Sequence, residues 1–187
     1  MGIEEIVLLG VALSFDAFSV TISDMFVYPH ESRARLLALP VAFGAFQGIM
    51  PVFGYFLSGV AAELIERYAG IVAFVILGII GGNMLREGIA ALRSGETSAE
   101  RSGERITLPL VLFQAVATAI DAFAVGIELR AAQATIALAA GIIAATTLLL
   151  CLVALAVGRA AGERLGDRAE VVGGAVLVLI GLKQLLF

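Results

Sequence analysis

The chain has 187 residues, 60% of them apolar and only 15% charged, with a mean hydropathy of +1.03 and a formal net charge of -4. Soluble domains carry about a quarter of their residues as charges, so a water-soluble enzyme or binding module is the first class excluded. No basic tract points to nucleic acid as a partner, and the single cysteine, Cys151, forms no intramolecular disulfide and reads as a small packing residue.

Crossing a bilayer takes roughly 20 apolar residues, and six runs meet or approach that length. The first helix is expected over about Glu4 to Val27. Its start is acidic and no small-residue cleavage site follows, so it reads as a retained helix and not a cleaved signal peptide. It carries Ser14-Phe15-Asp16-Ala17-Phe18-Ser19-Val20. A bare carboxylate at that depth costs at least about 2.5 kcal/mol, so Asp16 must face the interior, a partner or a cation. Asp24 lies eight residues on, roughly 12 Å further along. It either lines a cation path or caps the helix. The following corner holds Pro29 and a lone His30 without an evident role.

Helix two, about Leu36 to Val60, contains Phe43-Gly44-Ala45-Phe46-Gln47-Gly48-Ile49-Met50-Pro51. Pro51 cannot donate to the carbonyl of Gln47, so Gln47 offers a backbone and a side-chain oxygen at one level. Met50 is a thioether beside it. After a polar turn with Glu63, Glu66 and Arg67, helix three is expected over about Gly70 to Leu92. Asn83 there is a neutral oxygen ligand near mid-depth. Met84 serves as ligand or packing residue, and Glu87 lines a path, snorkels or pairs with Arg86. Residues 93–107, rich in Ser, Gly, Glu and Arg, read as a polar loop.

Helix four starts near Pro109, a favoured first-turn residue, and runs to about Leu129 through Ala119-Ile120-Asp121-Ala122-Phe123-Ala124-Val125. Thr118 is a cavity hydroxyl just before it, and Glu128 lies seven residues past Asp121, roughly 10 Å along the same face. Helix five follows over about Ala134 to Val157, with Thr146 and Thr147, then a loop Gly158 to Glu170, then helix six over about Val171 to Phe187. Glycines inside the helices, Gly81, Gly82, Gly173 and Gly174 among them, suit close helix approach.

The string Asp-Ala-Phe-x-Val occurs twice, offset by 105 residues, and each copy opens a group of three apolar runs. Three is odd, so the second copy enters from the opposite face, as in the inverted repeats of many secondary transporters. The expected fold is therefore all-α: a six-transmembrane-helix bundle of two inverted three-helix repeats, 1–92 and 108–187, joined by a cytoplasmic loop, 93–107. The loops after helices one, three and five, with the end of helix three, hold nine arginines, and the other side only Arg67, Arg130 and Lys183. The positive-inside rule then puts both termini outside the cytoplasm. No Lys or Arg sits mid-helix, so the two aspartates are expected without a basic partner, an arrangement suited to a divalent cation or shared protons. Oxygen ligands suit Mn, Mg and Ca. No Gly-x-x-x-x-Gly-Lys-Ser/Thr segment is present, so the chain hydrolyses no ATP.

Taken together, the Asp16 and Asp121 motifs, Phe43-Gly44-x-Phe46-Gln47-x-x-Met50-Pro51 and Gly82-x-Met84-x-x-Glu87-Gly88 resemble the MntP family of bacterial manganese exporters, in the LysE-like transporter superfamily. The resemblance spans essentially the whole chain. It implies export of Mn(II) from the cytoplasm, with the ion as cargo and no permanently bound cofactor, and it implies that Asp16 and Asp121 are essential. The expected metal ligands are Asp16, Asp121, Gln47, Asn83, Met50 and Met84, with Glu87, Asp24, Glu128 and Thr118 along the path or in coupling. Thr21-Ile22-Ser23-Asp24 and Glu128-Leu129-Arg130 depart from the family pattern. The setting is the bacterial inner membrane, with the bilayer and a divalent ion as partners and room for a homo-oligomer. Opening to each side is expected from one repeat rocking against the other, with protonation of a carboxylate aiding release. Alternatives are export of Cd, Fe, Co or an amino acid, a non-transporting scaffold, and an intramembrane aspartyl protease, whose Gly-x-Gly-Asp setting Asp121 lacks.

Overall fold

The computed structural model describes residues 2–28, 31–58, 62–94, 106–165 and 168–186, and their regular structure is helical. The helices are α1 (Ile3–Val27), α2 (Arg33–Leu36), α3 (Ala38–Leu57), α4 (Ala62–Ser94), α5 (Leu108–Thr118), α6 (Ile120–Ala131), α7 (Ile136–Leu165) and α8 (Ala169–Leu186). Among the described residues, four spans are long and apolar enough to cross a bilayer: Ile3–Val27, Arg33–Leu57, Ile71–Ala90 and Ile136–Gly162. The bent pair α5–α6 makes a fifth, and α8 adds a shorter apolar stretch, Val171–Lys183. Large apolar side chains such as Leu8, Phe15, Phe56, Ile79, Leu149 and Leu179 point outward. That exterior suits lipid, and the chain is an integral membrane protein.

Two expected connections are helical instead. α4 runs through Glu63, Glu66 and Arg67, and α7 continues past Gly158 to Leu165. Glu, Arg and Ala are good helix formers, so these helices outrun their apolar stretches. The Pro29–His30 corner and most of the expected polar loop, residues 95–105, lie outside the described residues.

Close approaches fix how the helices run. α1 and α7 are parallel and in one register over four turns. Gly10 faces Ile143, Ser14 faces Thr147 and Met25 faces Gly158, each pair 133 residues apart. α3 and α5–α6 are also parallel. The Glu31 carboxylate accepts from the Ile106 N–H at 3.0 Å at one end, and Arg130 donates to the Tyr55 carbonyl at 2.8 Å at the other, both across 75 residues. α4 and α8 are antiparallel and cross where Gly81 and Gly174 meet, and a Cβ on either would lie 2.7 Å from the other's carbonyl oxygen. α3 and α6 cross as closely, where a Cβ on Gly126 would overlap the Pro51 carbonyl. α3 also packs on α7, and α1 on α8. The hydroxyls of Ser19, Thr21, Ser23, Thr146 and Thr147 each donate to the carbonyl four residues back, which satisfies their protons within their own helix.

Candidate functional site

Asp16 lies mid-way along α1 and is 5% exposed. Asp121 is the second residue of α6, partly buried, and within electrostatic reach of Asp16. The span carrying Asp121 is broken just before it. Ala119 takes φ -103 and ψ 5, and α5 and α6 meet there at 41°. The break has a local cause. In a continuous helix the Thr118 carbonyl would accept from the Ala122 N–H, but that N–H donates to Asp121 Oδ1 at 2.8 Å. A carboxylate at a fresh helix N-terminus also sits at the positive end of the α6 dipole.

The carbonyl released in this way is taken by Gln47. Its Nε2 donates to the Thr118 carbonyl at 2.8 Å and to the Leu13 carbonyl at 3.2 Å. Leu13 and Thr118 each stand three residues before an aspartate, and they are 105 residues apart, the offset of the repeated motif. One buried amide thus joins equivalent carbonyls of the two copies and holds both aspartates at the centre of the bundle. The expected role of Gln47 as an oxygen ligand is thereby narrowed. Its nitrogen is committed, and its Oε1 is buried without a hydrogen-bond partner.

One expectation is overturned. The aspartates were expected to lack a basic partner, yet Lys183 Nζ of α8 bonds Asp16 Oδ1 at 3.0 Å. Lys183 sits near the end of an antiparallel neighbour, and its four-carbon stem brings the ammonium back to mid-helix α1. At an effective dielectric of about 20, unit charges 4 Å apart attract by about 4 kcal/mol. Discounted for the Lys183 side chain's 58% exposure, that is of the order of the cost of inserting the carboxylate.

A second polar cluster lies further along α1. Asp24, 2% exposed, accepts from Gln114 Nε2 of α5 at 2.8 Å. The Thr118 hydroxyl donates to the Gln114 carbonyl at 3.0 Å. A thread of polar groups therefore runs from Asp24 through Gln114 and Thr118 to Gln47, which holds the carbonyls three residues before each aspartate. Among the described residues, the buried side-chain oxygens without a hydrogen-bond partner are Asp24 Oδ2, Gln114 Oε1 and Gln47 Oε1, all on this thread. Gln114 and Lys183 were not singled out in the sequence. Gln114 belongs to no motif, and a lysine near a helix end normally snorkels outward.

The remaining candidates stand apart. Asn83 and Glu87 are on exposed positions of α4, and Glu128 is exposed on α6. Met84 is buried against Gly173 and Gly174 of α8. Met50 lines an open apolar cavity of about 260 Å³ with Phe53, Leu57, Ile120 and Phe123. Asp16 and Asp121 lie within electrostatic reach of one another, and carboxylate and amide oxygens suit Mn(II) or Mg(II) better than a soft metal. Among the described residues no three His, Cys, Asp or Glu side chains gather as a metal cluster.

The family described as "Putative manganese efflux pump" matches residues 30–185. Curated relatives carrying the name "Putative manganese efflux pump MntP" match nearly end to end. The protein of Ruminiclostridium cellulolyticum is 39% identical, with 98% of this chain and 95% of its own covered. That of Aliarcobacter butzleri is 38% identical, with 98% and 99% covered. The archaeal protein of Methanosphaera stadtmanae is 34% identical, with 97% of each covered. No solved structure matches the chain.

Proposed function

Because the chain belongs to the MntP family of manganese efflux pumps, which are transporters and not enzymes, we propose that it exports divalent cations, Mn(II) foremost, from the cytoplasm, with Asp16 and Asp121 as its central site. The observation that carries this reading is the Gln47 bridge. It spends a buried amide on bringing two intramembrane carboxylates together, where ionised groups are costly and mark ion pathways. The ion is the cargo. Asp16, Asp121 and Gln47 Oε1 hold it, and Asp24, Gln114 and Thr118 lead towards it from the arginine-rich side.

The architecture proposed is six spans in two inverted repeats, with the bacterial inner membrane as setting and both termini outside. Exchange of the two halves supports it. That exchange turns the parallel pair α1 and α7 into the parallel pair α5–α6 and α3, and it returns the α4–α8 crossing to itself. Alternating access moves the ion, and protons taken up by the carboxylates release it. Mn(II) efflux from a manganese-sensitive host is the test, with Asp16→Ala and Asp121→Ala compared at matched protein levels. Both variants are expected to lose protection, and retention of full efflux by both would end the central-site reading.

A further inference from the structure

We propose that the Lys183 ammonium is the resident counter-cation of the central site, displaced from Asp16 by each arriving divalent metal ion. The inference rests on the reading of Asp16 and Asp121 as the cation site.

Three observations lead to it. Lys183 is the chain's only lysine, against eleven arginines. Its ammonium reaches a carboxylate that is 7% exposed, while the lysine side chain as a whole is more than half exposed. The partner is also one of the two aspartates that the Gln47 bridge centres, and the second, Asp121, lies in the field of the same ammonium. Lysine suits a part that must leave. Arginine would grip Asp16 with a planar, two-pronged fork, whereas an ammonium is a single point charge on a flexible stem and is readily hydrated once released.

Charge then decides which ions displace the ammonium. With both carboxylates ionised, the site with its lysine carries one net negative charge. A monovalent ion that replaced the ammonium would leave that charge unchanged, and one that bound beside it would cancel the charge without displacing the lysine. A divalent ion that replaced it makes the site neutral. Metal and ammonium together would leave a net positive charge in a low-dielectric bundle, so the two exclude one another. When the metal departs the ammonium returns, and release never exposes two bare carboxylates. Lys183 therefore weakens metal binding and speeds release.

Calorimetric titration of the purified full chain with Mn(II) tests this. Lys183→Gln keeps a hydrogen-bond donor and removes the charge. It is expected to bind Mn(II) about tenfold tighter, the order for removing one competing charge-assisted hydrogen bond. Lys183→Arg is expected to bind more weakly than the wild type. In the wild-type chain, Mn(II) is expected to increase acylation of the Lys183 amine by an amine-reactive ester, read by mass on the Lys183 peptide so that the N-terminal amine does not contribute. Unchanged or weaker binding by Lys183→Gln overturns the inference, as does labelling that Mn(II) leaves flat or lowers. The labelling decides by itself if the variants do not fold. Asp16→Asn and Asp121→Asn form the separate arm. If they bind Mn(II) as the wild type does, the central site fails and the counter-cation falls with it. If they bind poorly while Lys183→Gln is no tighter, only the counter-cation falls.

Discussion

Asp24 and Asp16 solve the same problem in different ways. Asp16 is met by an ammonium at 3.0 Å, and Asp24 by the neutral amide of Gln114 at 2.8 Å. Removing the donor from a buried carboxylate leaves its desolvation uncompensated, a loss of about 1–3 kcal/mol or more. Removing the charge while keeping a hydrogen-bonding amide is close to neutral. Gln114→Leu is therefore expected to lower the melting point of the purified chain markedly, by about 2–3 kcal/mol of stability, and Asp24→Asn to change it by less than about 1 kcal/mol. An Asp24→Asn chain as unstable as Gln114→Leu would contradict this, because it would mean that the charge itself holds the fold. Residues of this kind differ in how far the sequence shows them. Asp16, Asp121 and Gln47 stand out because polar groups inside apolar runs carry a cost that needs a reason. Gln114 stands in an equally apolar run but outside any motif. Lys183 lies close to a helix end, where one-dimensional reasoning sends it out to the interface. Its partner is 167 residues away, and only the antiparallel packing of α8 on α1 brings the two together.

Among the elements, the span made of α5 and α6 is the least regular and the most firmly tied. Its start is held through Glu31 and its end through Arg130, whose guanidinium also lies 5.9 Å from the Tyr55 ring centroid. The break at Ala119 was not legible, since no Gly or Pro marks it. It arises when Asp121 captures the Ala122 N–H and Gln47 takes up the freed carbonyl, and that partnership exists only once α3 is in place. The apolar runs were legible as helices, whereas the turn expected at Glu63 to Arg67 and the loop expected after Gly158 were not, because helix-forming residues carry α4 and α7 on through them. The pin at Glu31 gives a pH dependence. Its carboxyl is held below the usual 4.5 chiefly by the Ser32 N–H, with help from the Ile106 N–H and Arg35. A carboxyl with a lowered native pKa binds fewer protons folded than unfolded, so its contribution is present above the unfolded value and is lost as pH falls through the native one. Acidification below about pH 4.5 is thus expected to lower the wild-type melting point more steeply than that of Glu31→Gln, which has nothing to titrate at that position. Parallel melting curves for the two chains would contradict the pin.

At the scale of the molecule, the two sequence halves do not form two bodies. α1 packs on α7 and α8, α3 on α5, α6 and α7, and α4 on α8, so nearly every extensive contact joins one half to the other. A rigid rocking of residues 1–92 against 108–187 would have to tear the α1–α7 register, constant over four turns, and the α4–α8 glycine crossing at once. Close-packed interfaces of this kind behave as units and resist gradual deformation. A motion that keeps α1 with α7 spares that register, although it must work against the close α3–α7 contact at Gly44 and Gly48. A crosslink separates the two descriptions. Ser14 Oγ and Thr147 Oγ1 are 2.8 Å apart, so cysteines at those positions are close enough for a disulfide without large backbone movement. In a Cys151→Ala background, Ser14→Cys with Thr147→Cys joins the two halves covalently inside one parallel pair. Oxidation is expected to leave Mn(II) efflux from proteoliposomes within about twofold of the reduced chain if α1 and α7 travel together. Rocking of whole repeats requires the same bond to stop transport, with recovery on reduction.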